Sequence, residues 1–368
     1  MGLPALAENP AGVVTEGTMN DAMRLNLYVR TGQHVFLLLK EFPAENPDDL
    51  YREASKIAWE EYIGKEGYVC VTSSVDNPSI RDSRYANVKC KDAIVDRISR
   101  KLGQRPDSGP ERDRTVVFLY WKNGRCSAYL DTSGETLSRR GYRKIPLTAP
   151  MQEALAAAVV LAAGWKGTGN FINPMCGSGT LAIEAALIGL NRAPGLLRKN
   201  FGFMHLRGFD EERWAALRDS AIREEKTVLD GRVIATDVDS LAVHAAGENA
   251  AAAGVDKCIE FSVCDYPETP VPAGGGLVML NPEYGERMGM ISELETVYKG
   301  IGDFFKTRCL GYSGYLFTGN PDLAKKVGLK TKSRKQFFNG AIECRLLEYE
   351  LYEGSRKRKN QEGYRDGA

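Results

Sequence analysis

The sequence predicts an α/β protein, a doubly wound and mostly parallel sheet preceded by a small α+β domain. Three observations point there. From Ala149 onward, short β-rich runs alternate strictly with helical ones. Within that half, Phe171–Glu184 (FINPMCGSGTLAIE) reads as a buried strand, a glycine-rich turn and the start of a helix. Before it, residues 46–148 run helix, strand, helix, strand, strand, and close on a hairpin.

In the first 45 residues, Val13–Glu16 suits a short strand, Asn20–Arg30 a helix and Val35–Glu41 an alternating strand. This fragment is too small to fold alone, so it is expected to pack on the α+β domain that succeeds it. Asp48–Tyr62 has helical spacing at Leu50, Ala54, Ala58 and Tyr62, after an Asn-Pro-Asp-Asp start that caps it. Tyr68–Ser73 is a strand, and Val88–Leu102 is an amphipathic helix with Ala93, Ile94, Ile98 and Leu102 on one face. Val116–Trp121 and Arg125–Asp131 pair across Lys122–Gly124, because Asn-Gly is a strong two-residue hairpin signal. In the second half come helix Met151–Ala163, strand 171–175 and helix Thr180–Leu190. Strand Val233–Asp237, helix Ser240–Ala252, strands Ile259–Cys264 and Leu277–Leu280, helix Ile291–Phe305 and strands Gly314–Thr318 and Ala341–Tyr352 come after them. Asn191–Glu224 is a longer insertion, basic at Arg192, Arg198 and Lys199 and aromatic at Phe201, Phe203, Phe209 and Trp214. Insertions at the carboxyl edge of such a sheet usually build a substrate site, and that is the expectation here. The boundaries are therefore 1–45, 46–148, 149–354 and a flexible basic tail at 355–368.

Composition excludes several classes. A net charge of +1 leaves no global field for polyanions, so any nucleic-acid surface is a local basic patch. The eight cysteines form no CxxC pair and there are three histidines, which argues against a structural zinc site and for reduced thiols in a cytoplasm. No run approaches the ~20 apolar residues of a membrane span, and no metal is implied.

Four stretches carry chemistry. Gly177 and Gly179 let the backbone bend and approach a ligand. The helix after them offers unpaired N–H groups to a carboxylate or another anion, although the Gly-Lys-Ser/Thr ending of a phosphate-binding P-loop is missing. Asp237 ends the second strand, where a carboxylate can accept both hydroxyls of a ribose. Asp239 or Ser240 better fits a helix cap. Asp265 ends the third strand and is either a turn residue or an acceptor for the amine of an adenine. After the fourth strand stands Asn281-Pro282-Glu283-Tyr284. The Asn281 side-chain oxygen and the Pro282 carbonyl can each accept an N–H of an amine on a flat base, and Tyr284 can stack on it. Such an amine is a poor nucleophile, and holding both N–H groups exposes its lone pair without a strong base. Cys176 lacks a neighbouring histidine or second cysteine to activate it and reads as packing. Separately, Leu130–Lys144 (LDTSGETLSRRGYRK) gathers Arg139, Arg140, Arg143 and Lys144 around Tyr142. It is either a phosphate-contacting segment or a solvated linker.

The pattern LDTSG-x-x-L-x-x-RGYR after a hairpin resembles the end of a THUMP domain, a module of RNA-modifying enzymes, and residues 1–45 look like part of the ferredoxin-like segment that precedes it. NPMCGSGTLAIEAA, NPEYGERMG and FFNGAIECRLLEYEL resemble the THUMP-containing, class I S-adenosylmethionine-dependent RNA guanine-N2 methyltransferases, especially the large-subunit rRNA enzymes. The resemblance implies a Rossmann-like methyltransferase domain with S-adenosylmethionine as cofactor. Asn173 and Cys176, Gly177, Ser178 and Gly179 would cradle the methionine end, Asp237 the ribose and Asp265 the adenine, with Asn281 bordering the cofactor. It also implies Asn281, Pro282 and Tyr284 as the catalytic set, while the charge pattern by itself offers Arg139, Arg140, Arg143 and Lys144 as the RNA-binding cations. The family pattern is Asn-Pro-Pro-Tyr; here Glu283 stands at the second proline, with both acceptors and the ring retained. The expected protein is a cytoplasmic monomer that methylates rRNA, with tRNA as the alternative RNA. The rivals are an adenine-N6 or glutamine-amide methyltransferase and, from another class, a non-catalytic RNA-binding assembly factor.

Overall fold

The computed structural model describes residues 2–9, 12–147, 150–284 and 291–352. It divides into two compact units, Met1–Arg140 with Ala193–Glu224, and Gly141–Arg192 with Glu225–Ala368.

In the first unit, strands β1 (Ala7–Asn9) and β2 (Gly12–Val14) form a small antiparallel pair. The main sheet has β3 (Phe36–Pro43), β4 (Tyr68–Asp76), β5 (Asp107–Ser108), β6 (Thr115–Lys122) and β7 (Arg125–Asp131), in the order β3-β7-β6-β4-β5. β6 and β7 join through Asn123 and Gly124, both at positive φ (50° and 70°), the backbone that a tight two-residue hairpin needs. β3 pairs antiparallel with β7, so residues 36–43 join the sheet of the α+β domain on which the first 45 residues were expected to pack. Helix Met19–Tyr28 starts with a capping box, in which Thr18 and Asp21 satisfy one another's backbone N–H groups. Helix Ser83–Leu102 carries the predicted face and runs five residues further toward its N-terminus, where Asp82 caps it. The predicted helix 48–62 is instead Pro47–Ala54 followed by a 3₁₀ turn at Trp59–Glu61, which lets Trp59 enter the core.

The insertion 191–224 corrects an expectation. Ala193–Glu224 is part of this first unit, and its aromatic residues fill the core instead of lining a substrate site. Phe201 and Phe203 stack at 5.2 Å, and Trp214 meets both edge-on at 5.4 and 5.0 Å. They share one buried cluster with Met23, Leu27 and Leu130. Rings at that density carry enough apolar area to demand burial.

The second unit is the doubly wound sheet. Its strands are β8 (Asn170–Pro174), β9 (Val233–Asp237), β10 (Ile259–Val263), β11 (Gly276–Leu280), β12 (Tyr312–Thr318), β13 (Ser333–Asn339) and β14 (Ile342–Glu350). Their order is β10-β9-β8-β11-β12-β14-β13. The five strands from β10 to β12 run parallel, and β14 lies antiparallel between β12 and β13. Helix Glu153–Ala162 precedes β8, and helices Thr180–Gly189, Ser240–Ala253 and Ile291–Arg308 lie between strands of the sheet. The chain leaves β8 toward β9 and β10 on one side and passes to β11 and β12 on the other. Such a reversal of strand order opens a crevice at the carboxyl ends of the central strands. The predicted tail 355–368 lies outside the described residues. No helix among the described residues is long and apolar enough to cross a membrane.

Candidate active site

The carboxyl ends of β8, β9 and β11 are locked together by their own polar groups. Asn173, fully buried in β8, donates from Nδ2 to the Met279 carbonyl of β11 at 2.9 Å. Past β8, the Cys176 N–H donates to the Thr236 carbonyl of β9 at 2.9 Å, and the Gly177 N–H to Asp237 Oδ2 at 2.9 Å. The turn is therefore tied to the strands on both sides.

Met175, Gly177 and Gly179 all sit at positive φ (55°, 53° and 82°). At Gly179 a Cβ would stand 2.8 Å from the Ala246 Cβ, so glycine lets helix Thr180–Gly189 pack against helix Ser240–Ala253. At Gly177 a Cβ would meet nothing within 4 Å. The volume beside the turn is open, as a backbone-lined cradle requires. The buried Asn173 Oδ1 has no hydrogen-bond partner among the described residues, an orphan acceptor that a ligand's amine would satisfy. Thr180 opens the helix after an αL residue, and its first-turn N–H groups have no carbonyl one turn back. Together these features fit the amino-acid end of S-adenosylmethionine.

Asp237 accepts from Gly177 and, at Oδ1, from the Asp239 N–H at 3.1 Å, which aims the carboxylate while leaving lone pairs on each oxygen. Asp239 caps the next helix by accepting from the Leu241 N–H, the role that the sequence favoured for it. Asp265 is exposed and accepts from the Tyr266 N–H at 2.7 Å, a turn contact that engages only one of its oxygens. Burial, and then the charge of Asp237, push the Cys176 thiol well above its usual range, so it stays protonated beside the turn.

After β11, Asn281 is half-buried, Pro282 buried and Glu283 exposed. The Tyr284 hydroxyl donates to Asn281 Oδ1 at 2.7 Å, and its ring meets Phe317 edge-on at 6.5 Å. Tyr284 therefore braces the acceptor as well as offering a ring. Its own carbonyl accepts from Asn320 Nδ2 at 3.0 Å, and the Glu283 carbonyl accepts from the Tyr298 hydroxyl at 3.2 Å. Burial pushes the Tyr298 phenol up to about 12, so it remains a donor at neutral pH.

The basic segment behaves differently. Arg140 is 1% exposed and donates to the Arg30 and Leu137 carbonyls, so it cannot contact RNA. Arg143 is mostly buried and bridges Glu153, the Met151 carbonyl and Ser178 Oγ, the last at 3.0 Å. It braces the glycine turn. Arg139, paired with Glu135, and Lys144 are exposed, so only these two of the four expected RNA cations face solvent.

Three supporting residues are not evident as such from the sequence. Asn249, fully buried, accepts from the Lys144 and Ile145 N–H groups and donates to the Ser178 carbonyl at 3.1 Å. Glu184, fully buried, accepts from the Tyr142 hydroxyl at 3.1 Å. Their one signal is a polar residue set in an alanine- or leucine-rich helix (Asn249 beside Glu248 in GENAAAAG, Glu184 alone in LAIEAALIG). Arg198 stands out in the sequence only for its charge. It is 8% exposed and donates to the carbonyls of Ser133, Glu135, Thr136, Arg139 and Asn200.

A doubly wound sheet with a seventh, antiparallel strand inserted beside β12, a glycine turn after the first strand and Asn-Pro-x-Tyr after the fourth define a class I methyltransferase domain. Residues 140–348 match the RMKL-like methyltransferase domain and residues 44–131 the THUMP domain. The chain belongs to this family of THUMP-containing, RMKL-like methyltransferases. It is 38% identical over 363 residues to the ribosomal RNA large subunit methyltransferase K/L of Syntrophotalea carbinolica, covering 96% of this chain and 51% of that one. A Synechocystis protein named as a candidate RNA methyltransferase is 34% identical over 342 residues, with 93% and 89% covered. Among solved structures, SMU.472, a candidate methyltransferase crystallised with SAH, superposes with a TM-score of 0.86 at 26% identity, over 96% of this chain and 93% of that one. The chain spans about half the length of the K/L relatives it matches.

Proposed function

We propose that this chain transfers a methyl group from S-adenosylmethionine to the exocyclic N2 amine of a guanine in RNA, with large-subunit ribosomal RNA preferred over tRNA. The observation that carries the reading is the Asn281–Tyr284 loop. Its two oxygen acceptors stand at the end of β11, hydrogen-bonded through Asn173 to the strand that bears the glycine turn.

Gly177, Asn173 and Asp237 bind the cofactor by backbone approach, by the orphan amide oxygen and by a pre-aimed carboxylate. When bound, S-adenosylmethionine would supply an electrophilic methyl on a sulfonium, with the neutral thioether as leaving group and one proton of the methylated amine released to water. Asn281 Oδ1 and the Pro282 carbonyl accept the two N–H groups of the target amine, turning its lone pair out of conjugation and toward that methyl. Tyr284 holds Asn281 in place, and the ring edge-packed on Phe317 offers its remaining surface to the base. This is catalysis by positioning and preorganised acceptors, without a strong base. Glu283 is exposed and outside both acceptors, so its replacement of proline leaves the machinery intact.

The test is methyl transfer from labelled cofactor to protein-free rRNA and tRNA, followed by nucleoside mass analysis. N2-methylguanosine in rRNA is the expected product. Label in tRNA alone would move the substrate, and intact cofactor binding with no transfer to either RNA would favour the assembly-factor reading.

A further inference from the structure

A pocket of about 710 Å³ opens between the end of β12, helix Pro321–Lys326 and strands β13 and β14, with Thr318, Gly319, Lys330, Arg334, Glu343 and Arg345 on its walls. It shares a wall with the Asn281–Tyr284 loop. Thr318 Oγ1 lies 2.8 Å from the Tyr298 hydroxyl that donates to Glu283, and a Cβ at Gly319 would stand 3.2 Å from the Tyr284 ring. Its volume is in the range that holds a nucleotide-sized group.

The charge around it is one-sided. From Thr318 to Glu348 the chain carries five lysines and two arginines against three carboxylates, a net +4 in a protein whose total is +1. Lys325 pairs with Asp322, Lys326 with Glu295, Lys332 with Glu348 and Arg345 with Glu343. Lys330 and Arg334 have no carboxylate within ion-pair distance among the described residues, and both are exposed. Arg334 donates from Nε to Thr331 Oγ1 at 3.0 Å, which fixes the guanidinium while its other N–H groups remain available. Two unneutralised cations on a concave wall, one of them held in position, suit phosphate oxygens.

We infer that this pocket binds RNA phosphates flanking the target nucleotide, with Lys330 and Arg334 as the contacting cations. The inference rests on the RNA methyltransferase reading and adds a backbone clamp beside the base acceptors. A clamp there fixes the register in which the target amine reaches Asn281.

The experiment measures RNA affinity of the full chain against salt concentration, for the natural sequence and for the double substitution Lys330→Ala with Arg334→Ala, together with S-adenosylmethionine affinity. The expected result is an RNA affinity about 10-fold weaker and a salt-dependence slope smaller by roughly 1.5, the effect of about two lost phosphate contacts. Cofactor affinity stays the same. Unchanged RNA affinity and slope would overturn the inference. So would loss of binding to guanosine 5′-monophosphate with RNA affinity unchanged, which would assign the pocket to a free mononucleotide. Methyl transfer is read on the same samples. RNA binding that depends on these two cations, without any transfer, refutes the proposed activity and supports the pocket. Transfer with the salt slope unaltered by the double substitution does the reverse.

Discussion

The loop Asp131–Arg140 and the turn Met175–Gly179 both leave the end of a strand, and both are dense in polar contacts, yet those contacts close on different things. In the first, Asp131 Oδ1 accepts from the Ser133 and Gly134 N–H groups, Asn26 bridges Thr132 and Ser133, and Arg198 takes five carbonyls. Most of its polar groups close on one another, with Arg140 and Arg198 as ties, although the buried Ser138 Oγ and Arg198 Nε have no partner among the described residues. In the second, the anchors are spent on fixing the turn to β9, while open volume remains beside Gly177 and an orphan acceptor remains at Asn173. An unpaired buried polar atom occurs in both, so what sets the second apart as a site is the open volume beside Gly177.

Substitutions that cut each set of contacts sharpen this contrast. The largest stability effect belongs to Arg198→Ala, which strands buried carbonyls and should destabilise the first unit by about 3 kcal/mol, read by denaturant unfolding. Arg198→Lys should recover only a part, because an ammonium cannot span the fork. In the turn, Gly179→Ala should cost about 2 kcal/mol, since it adds a positive-φ penalty to a clash with Ala246. Gly177→Ala should cost less stability, about 1 kcal/mol, yet weaken cofactor binding, because its Cβ enters open space where a ligand would sit. Calorimetric titration with S-adenosylmethionine separates the two glycines.

Arg143→Ala should lower cofactor affinity about 5-fold by releasing Ser178, with RNA affinity changed little. Arg139→Ala, on an exposed side chain, should leave stability within about 0.5 kcal/mol. A separate effect concerns acid. The Arg97 guanidinium, hydrogen-bonded to Glu60, holds that carboxyl down at about 2. A depressed carboxyl contributes stability above its unfolded value of 4.5 and loses it as pH falls from there toward 2. Glu60→Gln should therefore flatten the stability-versus-pH curve in that window while leaving the rest of the acid limb in place.

Much of this was legible in the sequence because alternation and strand-end motifs are enforced by topology. Parallel strands bring residues such as Asp237 and Asn281 to one edge, whatever the surface does, and Asn-Gly fixes a hairpin locally. The orientation of long cationic side chains was not legible. Arg140, Arg143 and Arg198 read as solvent-seeking charge, but a guanidinium is weakly hydrated and satisfied by carbonyls as readily as by phosphate. Residues 193–224 deceived for a related reason, since aromatic spacing looks alike in a substrate wall and in a core. β13 and helix Pro321–Lys326 were missed because their polar, lysine-rich sequence hides a strand at the sheet edge and a single short helix.

The central claim is that Asn281 acts on the target amine while Arg140 and Arg143 hold structure. Single-turnover methylation by Asn281→Ala, at saturating RNA and cofactor, tests it most directly. The expected rate is lower by roughly 10²–10³-fold with both binding affinities retained, as for loss of one preorganised catalytic hydrogen-bond partner. An unchanged rate, or a loss fully explained by failed cofactor binding, would contradict it.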